Sequence, residues 1–158
     1  MRVWVIYDSV FGNTEKIAQA IGGEFGSQDE VGVFRAGDQP SEFPDGLDLL
    51  IVGSPTRGFR PTDAVRAWVK NIPAGSLKGI RVAAFDTRFA VKEMKSAIGR
   101  FFVGTFGYAA KPIADGLRKK GGELAAPPEG FIVVDTEGPL KDGELQRAAG
   151  WARSVAGR

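Results

Sequence analysis

The chain contains no histidine and no cysteine. Without cysteine there is no disulfide framework, no iron–sulfur cluster and no thiolate zinc site. Without histidine, Ser-His-Asp and Cys-His catalysis and every histidine-based metal site drop out. Redox or acid–base chemistry must therefore come from carboxylates, Lys, Tyr, water or a bound cofactor, and no metal centre is expected. No run of eighteen apolar residues occurs, so no membrane-spanning helix is expected. The apolar part of MRVWVIYDSV is too short for a signal peptide and reads as a strand. A cytoplasmic protein is the expectation. At 158 residues the chain fits one domain with a proper core, and no repeat, low-complexity segment or linker interrupts it.

What is present alternates between strand and helix patterns. Arg2 to Tyr7 reads as strand one, and about Asn13 to Phe25 as a helix with Ile17, Ala18 and Ile21 on one face. Val31 to Phe34 is a short second strand. Leu47 to Gly53 is a continuous apolar run, as a central parallel strand should be. Pro61 to Asn71 reads as a helix with Val65, Trp68 and Val69 inward. Ile80 to Phe85 is the fourth strand. Val91 to about Gly99 reads as a helix start, Arg100 to Ala110 has no clear pattern, and Pro112 to Lys120 is a helix ending at Gly121-Gly122. The fifth strand is broken into Glu123 to Ala125 and Phe131 to Val134. Leu145 to Val155 is the closing helix. Five strands with helical crossovers define an open, doubly wound α/β sheet with parallel strands.

Ser9-Val10-Phe11-Gly12-Asn13-Thr14 lies between strand one and the first helix. Unpaired N–H groups and the helix dipole make a helix start a seat for an anion. Ser9 and Thr14 offer hydroxyls, Asn13 an amide, and Gly12 close backbone approach. Arg2, at the far end of the strand, is the only cation before Thr14, so the seat works by dipoles rather than ion pairing. The loop lacks the lysine of a P-loop and the three glycines of a dinucleotide fingerprint. In isolation, a plain turn capped by Asn13 or Thr14 would look the same.

Two further loops separate these readings. In doubly wound sheets the ligand sits beyond the carboxyl ends of the strands, at the switch point of strand order. With the order 2-1-3-4-5, the first loop meets Ser54-Pro55-Thr56-Arg57-Gly58-Phe59-Arg60 and Asp86-Thr87-Arg88-Phe89 there. Each of these two loops brings a Thr, an Arg and a Phe. A flat heteroaromatic ring with hydrogen-bonding edges suits that mixture.

At these residues the chain resembles the flavodoxins, along essentially its whole length. Ser9 to Thr14 matches the family's phosphate loop of hydroxyl residues around Gly-Asn-Thr, and the short break in strand five resembles a short-chain member. The resemblance implies bound FMN and electron transfer between proteins. It also implies that Ser9, Val10, Phe11, Gly12, Asn13 and Thr14 hold the 5′-phosphate. Pro55, Thr56, Arg57, Gly58 and Phe59 would flank the dimethylbenzene side or face of the isoalloxazine, with Ser54 in the same cofactor-binding loop, and Asp86, Thr87, Arg88 and Phe89 the pyrimidine side. Where flavodoxins commonly stack Trp and Tyr on the flavin, Phe59 and Phe89 are the nearest aromatics here, unless they only anchor their loops. Pro55-Thr56-Arg57 also resembles a loop of the flavodoxin-like NAD(P)H:quinone oxidoreductases, which gives an enzyme as the alternative. A binding module without flavin is a second alternative. A receiver domain fails: strand three ends in Gly53 and strand five in Asp135, where an Asp and a Lys are needed.

Flavodoxins are commonly acidic, whereas this chain carries +2. From Arg57 to Arg100 there are ten Lys and Arg against Asp63, Asp86 and Glu93, a net of +7, and the remainder carries −5. A rim of Arg57, Arg60, Arg88 and Lys92 would attract an acidic redox partner or a phosphorylated ligand. Arg66, Lys70 and Lys95 read as solvated helix charges. No aromatic-interleaved basic strand or recognition helix points to nucleic acid.

Overall fold

The computed structural model describes residues 1–90, 96–98, 101 and 107–158. The expected helix start at Val91, with Lys92 and Lys95, and the larger part of the stretch from Arg100 to Ala110 lie outside these residues. Within them, a parallel sheet runs β2(Glu30–Arg35), β1(Arg2–Tyr7), β3(Leu49–Pro55), β4(Arg81–Arg88). The fifth position is shared by two short strands. β5(Glu123–Leu124) pairs with the start of β4, and β6(Glu129–Ile132) with its end. The expected order and the expected break in the fifth strand are both present.

Alternation along the central strands sorts the core into two layers. Val3, Val5 and Tyr7 of β1, with Leu49, Ile51, Ala83 and Phe85, pack on α1(Asn13–Gly23) and α4(Glu144–Ala156). Trp4 and Ile6, with Leu50, Val52, Val82 and Ala84, pack on α2(Asp63–Asn71) and α3(Ala110–Lys119). Both faces of β3 are buried, which is why its sequence is apolar without alternation. Gly53 must be glycine because the Phe85 ring occupies the place of a Cβ.

Several boundaries move, each for a local reason. β4 continues past Phe85 to Arg88 because β6 pairs with Phe85 to Arg88. Asp86, Thr87 and Arg88 are therefore strand residues rather than loop residues. α3 begins at Ala110, with Pro112 inside its first turn, where its missing N–H costs no helical hydrogen bond. α1 starts after Gly12, whose φ of 92° is left-handed, and no side chain caps it. The cap from Asn13 or Thr14 that the plain-turn alternative requires is absent, because both residues lie inside the helix after Gly12.

Candidate functional site at the carboxyl ends of the strands

The parallel strands deliver three segments to one cleft. Its lining comprises Ser9, Val10, Phe11, Asn13 and Thr14 after β1; Pro55, Thr56 and Arg57 after β3; and Thr87, Arg88 and Phe89 at the end of β4. Val133 and Thr136 complete it. No carboxylate is among these residues, so the walls present hydroxyls, amide groups, two guanidinium groups and two phenyl rings.

The floor is the start of α1. Gly12 in the left-handed region turns the chain into the helix, and the Gly12 N–H donates to Ser9 Oγ at 3.0 Å. The N–H groups of Asn13, Thr14 and Glu15 open the helix and find no acceptor among the described residues. Thr14, 1 % exposed, places its Oγ1 2.8 Å from Thr87 Oγ1. The first and third segments are thus joined by their hydroxyls at the base of the cleft.

A cation missed in the sequence stands behind this loop. Arg35, at the end of β2, donates to Asp8 Oδ1 at 2.9 Å and to the Ser9 carbonyl at 2.8 Å, and its guanidinium lies 5.6 Å from the Tyr7 ring centroid. Asp8 balances its charge, so the seat still works mainly through N–H dipoles. Strand pairing could have disclosed it, because Arg35 lies opposite Tyr7 in the parallel register.

The segment after β6 was also not recognised as part of the site. It folds back through a bridge between Val133 and Leu140, and the Glu137 carbonyl accepts from Asn13 Nδ2 at 3.0 Å. A Cβ at Gly138 would approach Asn13 Oδ1 to 2.6 Å. Asn13 therefore ties two loops together, and its amide N–H is not simply a free phosphate donor as expected. The sequence signal was the turn-forming Gly138-Pro139 after an Asp-Thr pair.

Five of the expected contact residues lie off the cleft wall. Gly12 shapes the floor through its backbone. Ser54 is buried on the α2 side of β3, where its hydroxyl donates to the Pro55 carbonyl and accepts from Thr62 N–H, both at 2.9 Å. Gly58 and Phe59, with φ of 55° and 68°, form a two-residue turn closed by Arg57 N–H to Arg60 O at 2.8 Å. That turn holds Phe59 at its tip, and the rings that line the cleft are Phe89 and Phe11. Arg57 lies 5.5 Å above the Phe11 ring.

Asp86 faces away from Thr87, as adjacent strand residues must. Its carboxylate is fully buried and accepts from Arg88 at 2.5 and 2.7 Å and from the Ala110 N–H at 2.8 Å. Burial pushes the Asp86 carboxyl up, with Arg88 and the Ala110 N–H pulling against it. Arg88 in turn stacks 3.8 Å from the Tyr108 ring centroid, and Tyr108 Oη donates to the Phe89 carbonyl at 3.0 Å. Thr56 Oγ1 accepts from the Ala109 N–H at 3.0 Å. The start of α3 thus clamps the second and third segments together.

The geometry is that of a doubly wound α/β protein whose first helix begins at the base of a cleft where three strand ends meet. The profile of the flavodoxin family matches residues 5–127, and the chain belongs to that family. No curated protein matches the chain in sequence. Among solved structures, flavodoxin 1 from Bacillus cereus superposes with a TM-score of 0.75 at 18 % identity, over 100 % of this chain and 99 % of that one. A flavodoxin from the domain Archaea gives 0.72 at 23 %, over 99 % and 97 %. The two-electron reduced flavodoxin of Megasphaera elsdenii gives 0.67 at 19 %, over 99 % of both chains. These likenesses concern the fold. Among the described residues no helix is long and apolar enough to cross a membrane.

Proposed function

We propose that this chain binds FMN and carries electrons between redox partners. The observation that carries the reading is the row of N–H groups at the start of α1, without acceptors among the described residues, at the base of a cleft whose described lining holds no carboxylate. A phosphate dianion suits that seat and would be repelled by an acidic one. Ser9 and Thr14 would donate hydroxyl hydrogen bonds to it. Pro55, Thr56, Arg57 and Phe89 would border the ring, with Phe11 at the mouth. FMN, once bound, supplies reversible uptake of one or two electrons.

The chain's own part is positional. The start of α3 fixes the second and third segments against each other through Thr56, Asp86 and Tyr108. Arg57 and Arg88 place positive charge beside the slot, which favours an electron-rich ring. Among the described residues that line the cleft there is no carboxylate, Lys or Tyr to exchange a proton, which suits electron transfer better than acid–base catalysis. An acidic redox protein is the expected partner for the basic rim.

The test is anaerobic mixing of FMN-loaded protein with NADPH while the flavin absorbance is followed. A carrier stays oxidised over minutes and is bleached by a chemical reductant. Rapid bleaching by NADPH would instead assign a direct NAD(P)H-dependent reductase, the alternative that Pro55-Thr56-Arg57 resembles.

A further inference from the structure

A groove of about 690 Å³ runs between α2 and α3, on the flank of the molecule and outside the cleft. Its floor is Val65, Val69 and Ile113, with Pro61, Ala67 and Pro112 at its edges. The helices approach closely at Gly116, where a Cβ would come 2.7 Å from Val69 Cγ1. Its charged lining is Arg60, Arg66, Lys70, Lys119 and Lys120 against Asp63 alone. Asp63 is already paired with Arg66 at 3.3 Å. Lys120 Nζ donates to the Lys70 carbonyl at 2.9 Å, so one cation also ends α2.

We propose that this groove docks an acidic amphipathic segment of a partner protein. Its apolar side chains would lie on the floor, and its carboxylates would meet the cationic rim. The spread of the cations argues for a peptide rather than a compact anion. Arg60 precedes α2 at one end, while Lys70, Lys119 and Lys120 stand at the other. The nine residues of α2 span about 14 Å, the length of two to three turns of a docked helix. No aromatic side chain lines the groove to stack a nucleotide base. The imbalance of sign gives the complementarity, since five cations face a single carboxylate along this groove. All three lysines sit at helix C-termini, whose dipoles offset part of their charge. For that reason the apolar floor is needed alongside the rim.

None of the groove residues lines the cleft, so the proposal stands or falls independently of FMN binding. The test is a ¹H–¹⁵N titration of the full chain with a synthetic helical peptide carrying glutamates on one face and leucines on the other. A second peptide of the same composition has the order permuted so that no apolar face forms. The expected result is shifts in amides of Val65 to Lys70 and Ile113 to Lys120, with Ser9 to Thr14 unmoved. Lys70→Glu/Lys119→Glu should weaken binding at least tenfold, and Lys70→Gln/Lys119→Gln by less, with unchanged melting temperatures. Equal binding of the permuted peptide would overturn the proposal, as would no shift at millimolar peptide. So would binding of NADP⁺ in the groove where the amphipathic peptide does not bind.

Discussion

Thr14 and Thr87 are seventy-three residues apart in sequence, and their side-chain oxygens are 2.8 Å apart at the base of the cleft. One hydroxyl proton is shared between them, which leaves the other free to donate to an anion on the α1 terminus. Thr14→Val should therefore weaken FMN about tenfold to a hundredfold, the loss of a hydrogen bond to a charged group of about 1.5–3 kcal/mol. Thr87→Val should cost less, and the double variant less than the sum, because the two act as a unit. Riboflavin, which lacks the phosphate, should bind the variants as it binds the parent. Parallel fluorescence titrations check this, and additive losses shared equally by both flavins would contradict it.

The two glycines beside this pair serve different physics, and the difference is measurable. At Gly12 a Cβ meets nothing within 4 Å, so Gly12→Ala should cost only the left-handed backbone, about 1–2 kcal/mol. At Gly53 the Phe85 ring fills the space, so Gly53→Ala forces the core apart at about 1–3 kcal/mol. Urea unfolding measures both. Gly12→Ala should also disturb FMN binding, whereas Gly53→Ala should act chiefly on stability. The reverse assignment would place the strain elsewhere.

Asp86 and Arg88 predict a pH dependence of definite sign. The folded-state pKa of Asp86 is raised above its unfolded value near 4. Its contribution to stability is therefore fully present below that value and is lost as pH rises through the folded pKa. Removing Arg88 takes away the partner that opposes this rise. Arg88→Leu should be destabilised by about 3–5 kcal/mol at pH 7.5, where a buried carboxylate stands unpaired. Much of that loss should be recovered at pH 4.5. Equal destabilisation at both pH values would show that Arg88 acts by packing on Tyr108 alone.

On the proposed FMN reading, the same pair should shift the flavin potential in opposite directions. Asp86 balances Arg88, so among the described residues that line the cleft Arg57 is the cation without a carboxylate partner. Arg57→Gln should lower the potential by about 20–40 mV, corresponding to roughly 0.5–1 kcal/mol for an exposed charge. Arg88→Gln should lower it and Asp86→Asn should raise it, since each leaves the other's charge unbalanced. An anaerobic redox titration in which Asp86→Asn and Arg88→Gln shift the potential the same way would contradict this arrangement.

Much of this was legible in the sequence because strand and helix periodicity, and the rule of strand ends, are local patterns. Ser9 to Thr14, Pro55 to Arg57 and Thr87 to Phe89 reach the cleft for that reason. What was not legible depends on which way a side chain faces and on distant partners. Asp86 reads as a loop residue in the sequence because strand length depends on β6, which lies more than forty residues away. Nothing in the sequence around Phe59 discloses a turn that holds a non-glycine residue at φ 68°. Arg35, Tyr108 and Thr136 enter through pairing and fold-back that no single-sequence period encodes.

The most direct test of the central claim is a titration of flavin-free protein with FMN and, in parallel, with riboflavin, followed by quenching of flavin fluorescence. The row of unpaired N–H groups on α1 predicts that FMN binds at least about a hundredfold more tightly, since the phosphate makes several charge-assisted hydrogen bonds. Equal affinity for the two flavins, or no binding of FMN, would contradict the assignment of the α1 terminus as a phosphate seat.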